Sequence, residues 1–172
     1  RGKLPKMWKR DVSRAFRNLP IYFQHLKFMV VAWIYRQRLW TSRHTGLPFG
    51  SVGAVYGWHR FANLYRAVLV RLLKLPTGKF VDDFFGVGSD GLSFPGGACA
   101  TRLAELIGIP MDAGKDEDDA LSMLLLGARI GCNSAKEEVT VQIAEQKAEM
   151  WTADLRGIVE SDVLEDWKAE KF

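Results

Sequence analysis

The chain has 172 residues, 48% hydrophobic and 26% charged, with a formal net charge of +4, which is the make-up of an ordinary globular domain with a real core. Cys99 and Cys132 lie far apart with no CxxC, and His25, His44 and His59 show no ligand spacing. This argues against a zinc site or a disulfide framework and fits a reducing compartment; the setting is read as intracellular, in nucleus or cytoplasm, with an organelle left open because the N-terminus looks truncated.

The charge is uneven. Residues 1–79 are strongly basic and residues 112–171 lean acidic, a pattern that suggests an anionic partner such as nucleic acid. No segment reads as a membrane span: "FMVVAWIY" is too short, and residues 51–74 are interrupted by Arg60, Arg66 and Arg71. The chain begins at Arg1 and ends at Phe172 inside a helical pattern, so it reads as a fragment.

In chain order, "KMWKRDVS" reads as a strand ending near Asp11, and "AFRNLPI" as a short helical turn halted by Pro20. "LKFMVVAWIYRQRLWTSR", rich in β-branched and aromatic residues, predicts two strands in a hairpin, and "GLPFG" a loop. Phe61, Leu64, Tyr65, Val68 and Leu72 recur at helical spacing and predict a long helix over residues 51–73. "PGGACATRLAELIG" predicts a second helix, opened by Pro95 and stopped by Gly108. "DEDD" at 116–119 looks like a solvated run. "SMLLLGARI" and "EEVTVQI" read as strands around a polar turn. Ile143, Met150, Trp151, Leu155 and Ile158 mark a helix, and Ser161 and Asp162 interrupt it before another that runs to the end. Strands and helices in this non-alternating order predict an α+β fold with a mainly antiparallel sheet.

One stretch carries the chemistry. "KFVDDFFGVGSDG" sets Asp82 and Asp83 in the middle of an apolar run. Burying a carboxylate costs roughly several kcal/mol, and two neighbours repel unless a cation sits between them. A solvated turn is the plain alternative, but residues 80–85 contain no Gly, Pro, Asn or Ser. The stretch therefore reads as strand, tight turn at the acids, strand. If this hairpin neighbours the first strand, Asp11 joins the pair, and hard oxygen donors on a rigid sheet suit Mg²⁺. Two such ions can clamp the attacking and leaving oxygens of a phosphoryl transfer.

These residues resemble the five palm motifs of reverse transcriptases. "DVSRAFRNLPI" is similar to motif A, "LPFG" with its helix to motif B, and "FVDD" to motif C. "IGIPMDAGK" is similar to motif D and "LLLGARI" to motif E. The order is right, and the resemblance runs from about Met7 to about Val141. Its flavour is closest to retroelement (retrotransposon) enzymes of the tyrosine-recombinase or long-terminal-repeat types, and the tail "WKAEKF" resembles the stretch after their palm. The resemblance implies a palm-like domain over residues 1–141, and the start of a thumb or connection over residues 142–172.

It also implies roles. Asp11 and Asp82 would hold two Mg²⁺ ions, with Mn²⁺ able to substitute, helped by the Val12 carbonyl and supported by Asp83. Phe16 would be a steric gate against a 2′-hydroxyl. Phe49 and Gly50 would contact nucleotide or template, although Phe49 stands where many retroviral relatives carry Gln. Lys115 would be the motif D general acid, and Gly127 to Arg129 would begin the grip on the primer. Partners would be an RNA or DNA template-primer and deoxynucleotides.

Each role has a plain alternative: Asp11 as a strand-end cap, Phe16 as core, Lys115 as a solvated loop lysine. Arg10, Arg14, Arg17, Arg36, Arg38 and Arg43 form either a phosphate track or a soluble face. Taken whole, the resemblance implies a nucleotidyl-transferring palm or, alternatively, a palm retained as a structural subunit among other protein subunits. The latter predicts apolar surface where fingers and thumb once packed.

Overall fold

The computed structural model describes residues 6–88, 95–133 and 138–161. The polar turn expected between the last two strands and the final helix after Asp162 lie outside these residues. The chain divides into two compact units, residues 1–120 and residues 121–172.

The first unit is built on a four-stranded antiparallel sheet. Its strands are β1 (Lys6–Asp11), β4 (Thr77–Phe80), β5 (Asp83–Gly88) and β6 (Glu117–Ala120), in the order β4-β5-β1-β6. β2 (Val30–Tyr35) and β3 (Arg38–Arg43) form a separate hairpin. Helix α1 (Val52–Ala67) continues as a π turn over Val68–Leu72, and α2 covers Gly96–Leu106. Short 3-10 turns occupy Ala15–Asn18, Phe23–Phe28 and Ala113–Lys115. This is an α+β fold with antiparallel sheets backed by helices.

Strand alternation divides the sheet into two faces. Trp8, Val12 and Phe84 point into a core with Trp58, Ala62, Tyr65 and Leu69 of the α1 segment and Ala100 and Ala104 of α2. Tyr65 stacks edge-on to Phe84, and its hydroxyl donates to the Ala100 carbonyl at 2.6 Å. Burial pushes that hydroxyl's pKa well up, so Tyr65 remains a donor. Gly96 and Gly97 let α2 approach β1, because a Cβ at either would run into Trp8 or into Arg10 and Asp118.

Three expectations change. Helix α1 has the predicted period, but its buried stripe is Ala54, Trp58, Ala62, Tyr65 and Leu69, and Leu64 and Leu72 are exposed. The contact alternates small residues, Ala54 and Ala62, with the large Trp58, Tyr65 and Leu69. "LKF" belongs to the 3-10 turn before β2. "DEDD" is a solvated run only in part: Asp118 and Asp119 are exposed, but Glu117–Ala120 pairs with β1 as an edge strand.

Arg10 explains that strand. It lies on the core face and is buried. Its guanidinium donates to Thr101 Oγ1 at 2.7 Å, to the Glu117 carbonyl at 3.1 Å and to Asp118 at 2.6 Å, and pairs with Asp116 at 3.4 Å. Arg10 is therefore not part of a phosphate track; it neutralises the acidic strand that it pulls onto β1. Burial, ahead of the opposing pull of Arg10, raises the Asp116 pKa. Replacing Arg10→Ala should cost about 2 kcal/mol, below the full cost of breaking a buried pair because the acids can rehydrate. Urea denaturation checks this; an unchanged midpoint would show that the network carries no stability.

The second unit holds β7 (Ser122–Leu125), β8 (Ala128–Asn133) and β9 (Glu138–Ile143) in an antiparallel sheet, followed by α3 (Glu145–Ser161). "SMLLLGARI" is thus a hairpin rather than one strand. Leu126 and Gly127 turn it at φ +53° and +81°, the two-positive-φ pattern of a tight hairpin.

Candidate active site

β1 and β5 bring two of the three acids together. Asp11 and Asp83 are directly opposed in the antiparallel register, on the face turned away from the helix-packed core. Asp82 stands beside them in the two-residue turn Val81–Asp82 that joins β4 to β5, and its carbonyl accepts from the Val12 amide at 3.2 Å. The turn falls one residue earlier than expected, so Asp83 already belongs to β5 and pairs with Phe80.

That turn holds Val81 at φ +49°. A β-branched residue there is a genuine outlier, and such strain costs of order 1–3 kcal/mol. What holds it is Trp58, fully buried on α1, whose Nε1 donates to the Val81 carbonyl at 2.8 Å. Trp58 also leans on Phe16 at 6.2 Å between ring centroids, and Phe16 meets Phe49 edge-on at 5.2 Å. One tryptophan therefore links the acid turn to the aromatic pair. Sequence reasoning missed Trp58; its place in the helical repeat, one position before His59, was the available signal.

Lys115 also arrives at the acids. Asp112 Oδ1 accepts from the Gly114 amide at 3.2 Å and shapes the short turn that carries Lys115. Met111 bridges to Val12, and the Asp112 amide donates to the Asp11 carbonyl at 2.9 Å. The Lys115 ammonium then donates to Asp11 Oδ2 at 2.9 Å and lies 3.7 Å from Asp112. Lys9, which was not foreseen, sits 3.3 Å from Asp83.

The electrostatics follow from this crowding. Burial raises the Asp82 pKa, and the nearby Asp11 and Asp83 carboxylates raise it further; its own backbone bond and Lys115 oppose. The hydrogen bond to Asp11 raises the Lys115 pKa, so the ammonium keeps its proton. Among the described residues, no three His, Cys, Asp or Glu side chains gather closely enough to form a ready ligand set. The donors present are nonetheless all oxygen, with negative charge in excess at Asp82, and Mg²⁺ is commonly held by one or two carboxylates plus substrate phosphates.

The other expected site residues fall in two places. Phe16 is buried in the core cluster, while Phe49 is exposed and lies under the Arg17 guanidinium at 5.9 Å. Gly50 turns the chain at φ +81° next to Phe49. Gly127 to Arg129 form the turn and start of β8 in the second unit. A cavity of about 580 Å³, lined by Leu73, Ala98, Cys99, Arg102, Leu103 and Leu106, contains none of the acids. Both cysteines are free thiols, and no helix among the described residues is long and apolar enough to cross a membrane.

No family model and no curated protein matches this sequence. Among solved structures, the chain is similar to the foamy viral protease-reverse transcriptase, whose structure is of a complex with an RNA/DNA hybrid. The TM-score is 0.61 at 14% identity, and the match covers 82% of this chain and 17% of that one. The present chain thus spans less than a fifth of that neighbour's length, and what the two share is a reverse-transcriptase-like, polymerase-type fold.

Proposed function

We propose that this chain is the palm of a reverse-transcriptase-like nucleotidyl transferase, an RNA-directed DNA polymerase that extends a primer on a nucleic-acid template inside the cell. The observation that carries this reading is the register pairing of Asp11 with Asp83 beside the Asp82 turn. Asp11 and Asp82, with the Val12 carbonyl, would hold two Mg²⁺ or Mn²⁺ ions, and Asp83 would support them. Bound there, the ions supply charge neutralisation for a phosphoryl transfer.

The chain's own side chains do the rest. Lys115 holds a proton at Nζ, ready for a leaving group once Asp11 is otherwise engaged. Phe16, seated between Trp58 and Phe49, offers bulk against a 2′-hydroxyl, and Phe49 and Gly50 flank the nucleotide. Gly127 to Arg129 would touch the primer.

Calorimetric titration with Mn²⁺ and Mg²⁺ tests the ion site, and primer extension by a longer form tests the reaction. Absence of any divalent binding would reject the reading. Because the Lys115 ammonium competes for Asp11, Lys115→Met should tighten Mn²⁺ binding a few-fold while slowing any turnover. Weaker Mn²⁺ binding in that variant would show that Lys115 assists the ion site instead.

A second reading has its own support. Lys115 and Lys9 already pair with Asp11 and Asp83, which suits a palm whose acids are idle and which serves as a subunit of a larger assembly. In that case neither ion would bind and Asp82→Asn would leave every property but stability unchanged.

A further inference from the structure

The β2–β3 hairpin stands apart from the sheet that carries the acids. All twelve of its strand residues are exposed. Its base is tied to the rest of the unit by the His44 amide donating to Met29, the Ile21 amide donating to Thr45, and the Pro20–Gly46 bridge. A two-stranded hairpin is marginal in water unless one of its faces is covered.

The register sorts the two faces. Ile34 opposes Leu39, and Ala32 opposes Thr41, on one face. Trp33 opposes Trp40 and Tyr35 opposes Arg38 on the other. On that second face both tryptophans and Tyr35 are about half exposed. Arg36, in the turn, lies over the Tyr35 ring at 5.2 Å. Arg36 and Gln37 both hold positive φ, where Asn-Gly would be the easy choice. The tip therefore carries a guanidinium at a position that backbone preference alone would not give it.

Charge identifies the occupant. Between Asp11 and Asp82 the chain carries eleven Lys and Arg and no Asp or Glu. A protein partner would be served by either face of the hairpin. A face that carries Trp33, Trp40 and Tyr35 with Arg38 beside them and Arg36 at the tip, in a stretch without a single acid, suits stacked bases and their phosphates.

We propose that the Trp33–Tyr35–Arg38–Trp40 face is a platform for unpaired nucleic acid, on which bases stack sequence-independently while Arg36 and Arg38 meet the phosphates. The proposal rests on the template-directed reading above, and it places a strand contact on this hairpin, apart from the acids.

The test is titration of the 172-residue chain with a twelve-nucleotide single strand of deoxythymidylate, read by anisotropy of a labelled oligonucleotide. Heparin serves as a polyanion without bases. The variants are Trp33→Ala, Trp40→Ala and Arg38→Ala, each at an exposed position. Each tryptophan change should weaken oligonucleotide binding about tenfold and leave heparin binding unchanged. Arg38→Ala should weaken both. Mn²⁺ binding at the acids should not move in any variant, so loss of the ion site and loss of the platform are read separately. Equal loss of oligonucleotide and heparin binding in the tryptophan variants, or no loss of either, overturns the proposal. So does a wild-type dimer that Trp33→Ala dissociates without changing oligonucleotide affinity, which would make this face a contact between copies.

Discussion

Asp82→Asn should weaken Mn²⁺ binding by more than about 100-fold, since loss of even an outer partner of a metal ligand costs about 10–100-fold. The same change should raise the melting temperature of the ion-free protein. Burial and two neighbouring carboxylates hold the Asp82 pKa above its ordinary value, so ionising it costs stability in the folded state. The deficit is absent below the ordinary aspartate range, where both folded and unfolded chains are protonated there. It grows as pH rises from that range to the raised folded value, and is fully present above it. The variant, having no proton to lose, should lack this fall. Weaker ion binding together with higher stability is the signature of a charge kept for function. Paired losses in both would mean that Asp82 is a structural residue of the turn.

Trp58→Ala should be the most destabilising single change in the first unit. Trp58 is fully buried, touches Phe16 and Phe61, and holds the strained Val81 turn through one hydrogen bond. Truncating a buried tryptophan costs about 3–5 kcal/mol, against a total of about 5–15 kcal/mol for a typical domain. Trp58→Phe keeps most of the packing but removes the donor to the Val81 carbonyl. It should cost about 1–2 kcal/mol and weaken Mn²⁺ binding, because the acid turn is then free to relax. Urea denaturation and calorimetry on the same samples check both. A Trp58→Phe protein with lowered stability but unaltered ion affinity would show that the turn needs no such clamp.

The elements that could be read from sequence are those whose signals are local. β1 and α1 follow from side-chain period, the β2–β3 hairpin from its β-branched and aromatic residues, and α2 from Pro95 at its start and Gly108, at φ +75°, at its end. The meeting of Asp11 with the 82–83 pair was legible too, because a strand end and a hairpin of opposite direction need only be neighbours to bring the acids together.

What could not be read depends on partners distant in the chain. β6 has the composition of a solvated acidic loop and becomes a strand only because Arg10, 108 residues before Asp118, neutralises it. The Lys115–Asp11 pair spans 104 residues and rests on the Met111–Val12 bridge, which has no local signal. Val81 and Arg36 occupy left-handed turn positions against their own preference, so composition pointed elsewhere. In α1, counting hydrophobicity favours Leu64 and Leu72, whereas packing buries the smaller Ala54 and Ala62.

Paramagnetic broadening by Mn²⁺ of the amide signals of the ¹⁵N-labelled protein tests most directly whether the three acids form one cation-holding edge. At substoichiometric Mn²⁺, the signals of Val12, Asp82 and Asp83 should vanish first, and Asp82→Asn should restore them. Broadening centred instead on Asp116 to Asp119, or spread evenly over the acidic surface, would contradict the account.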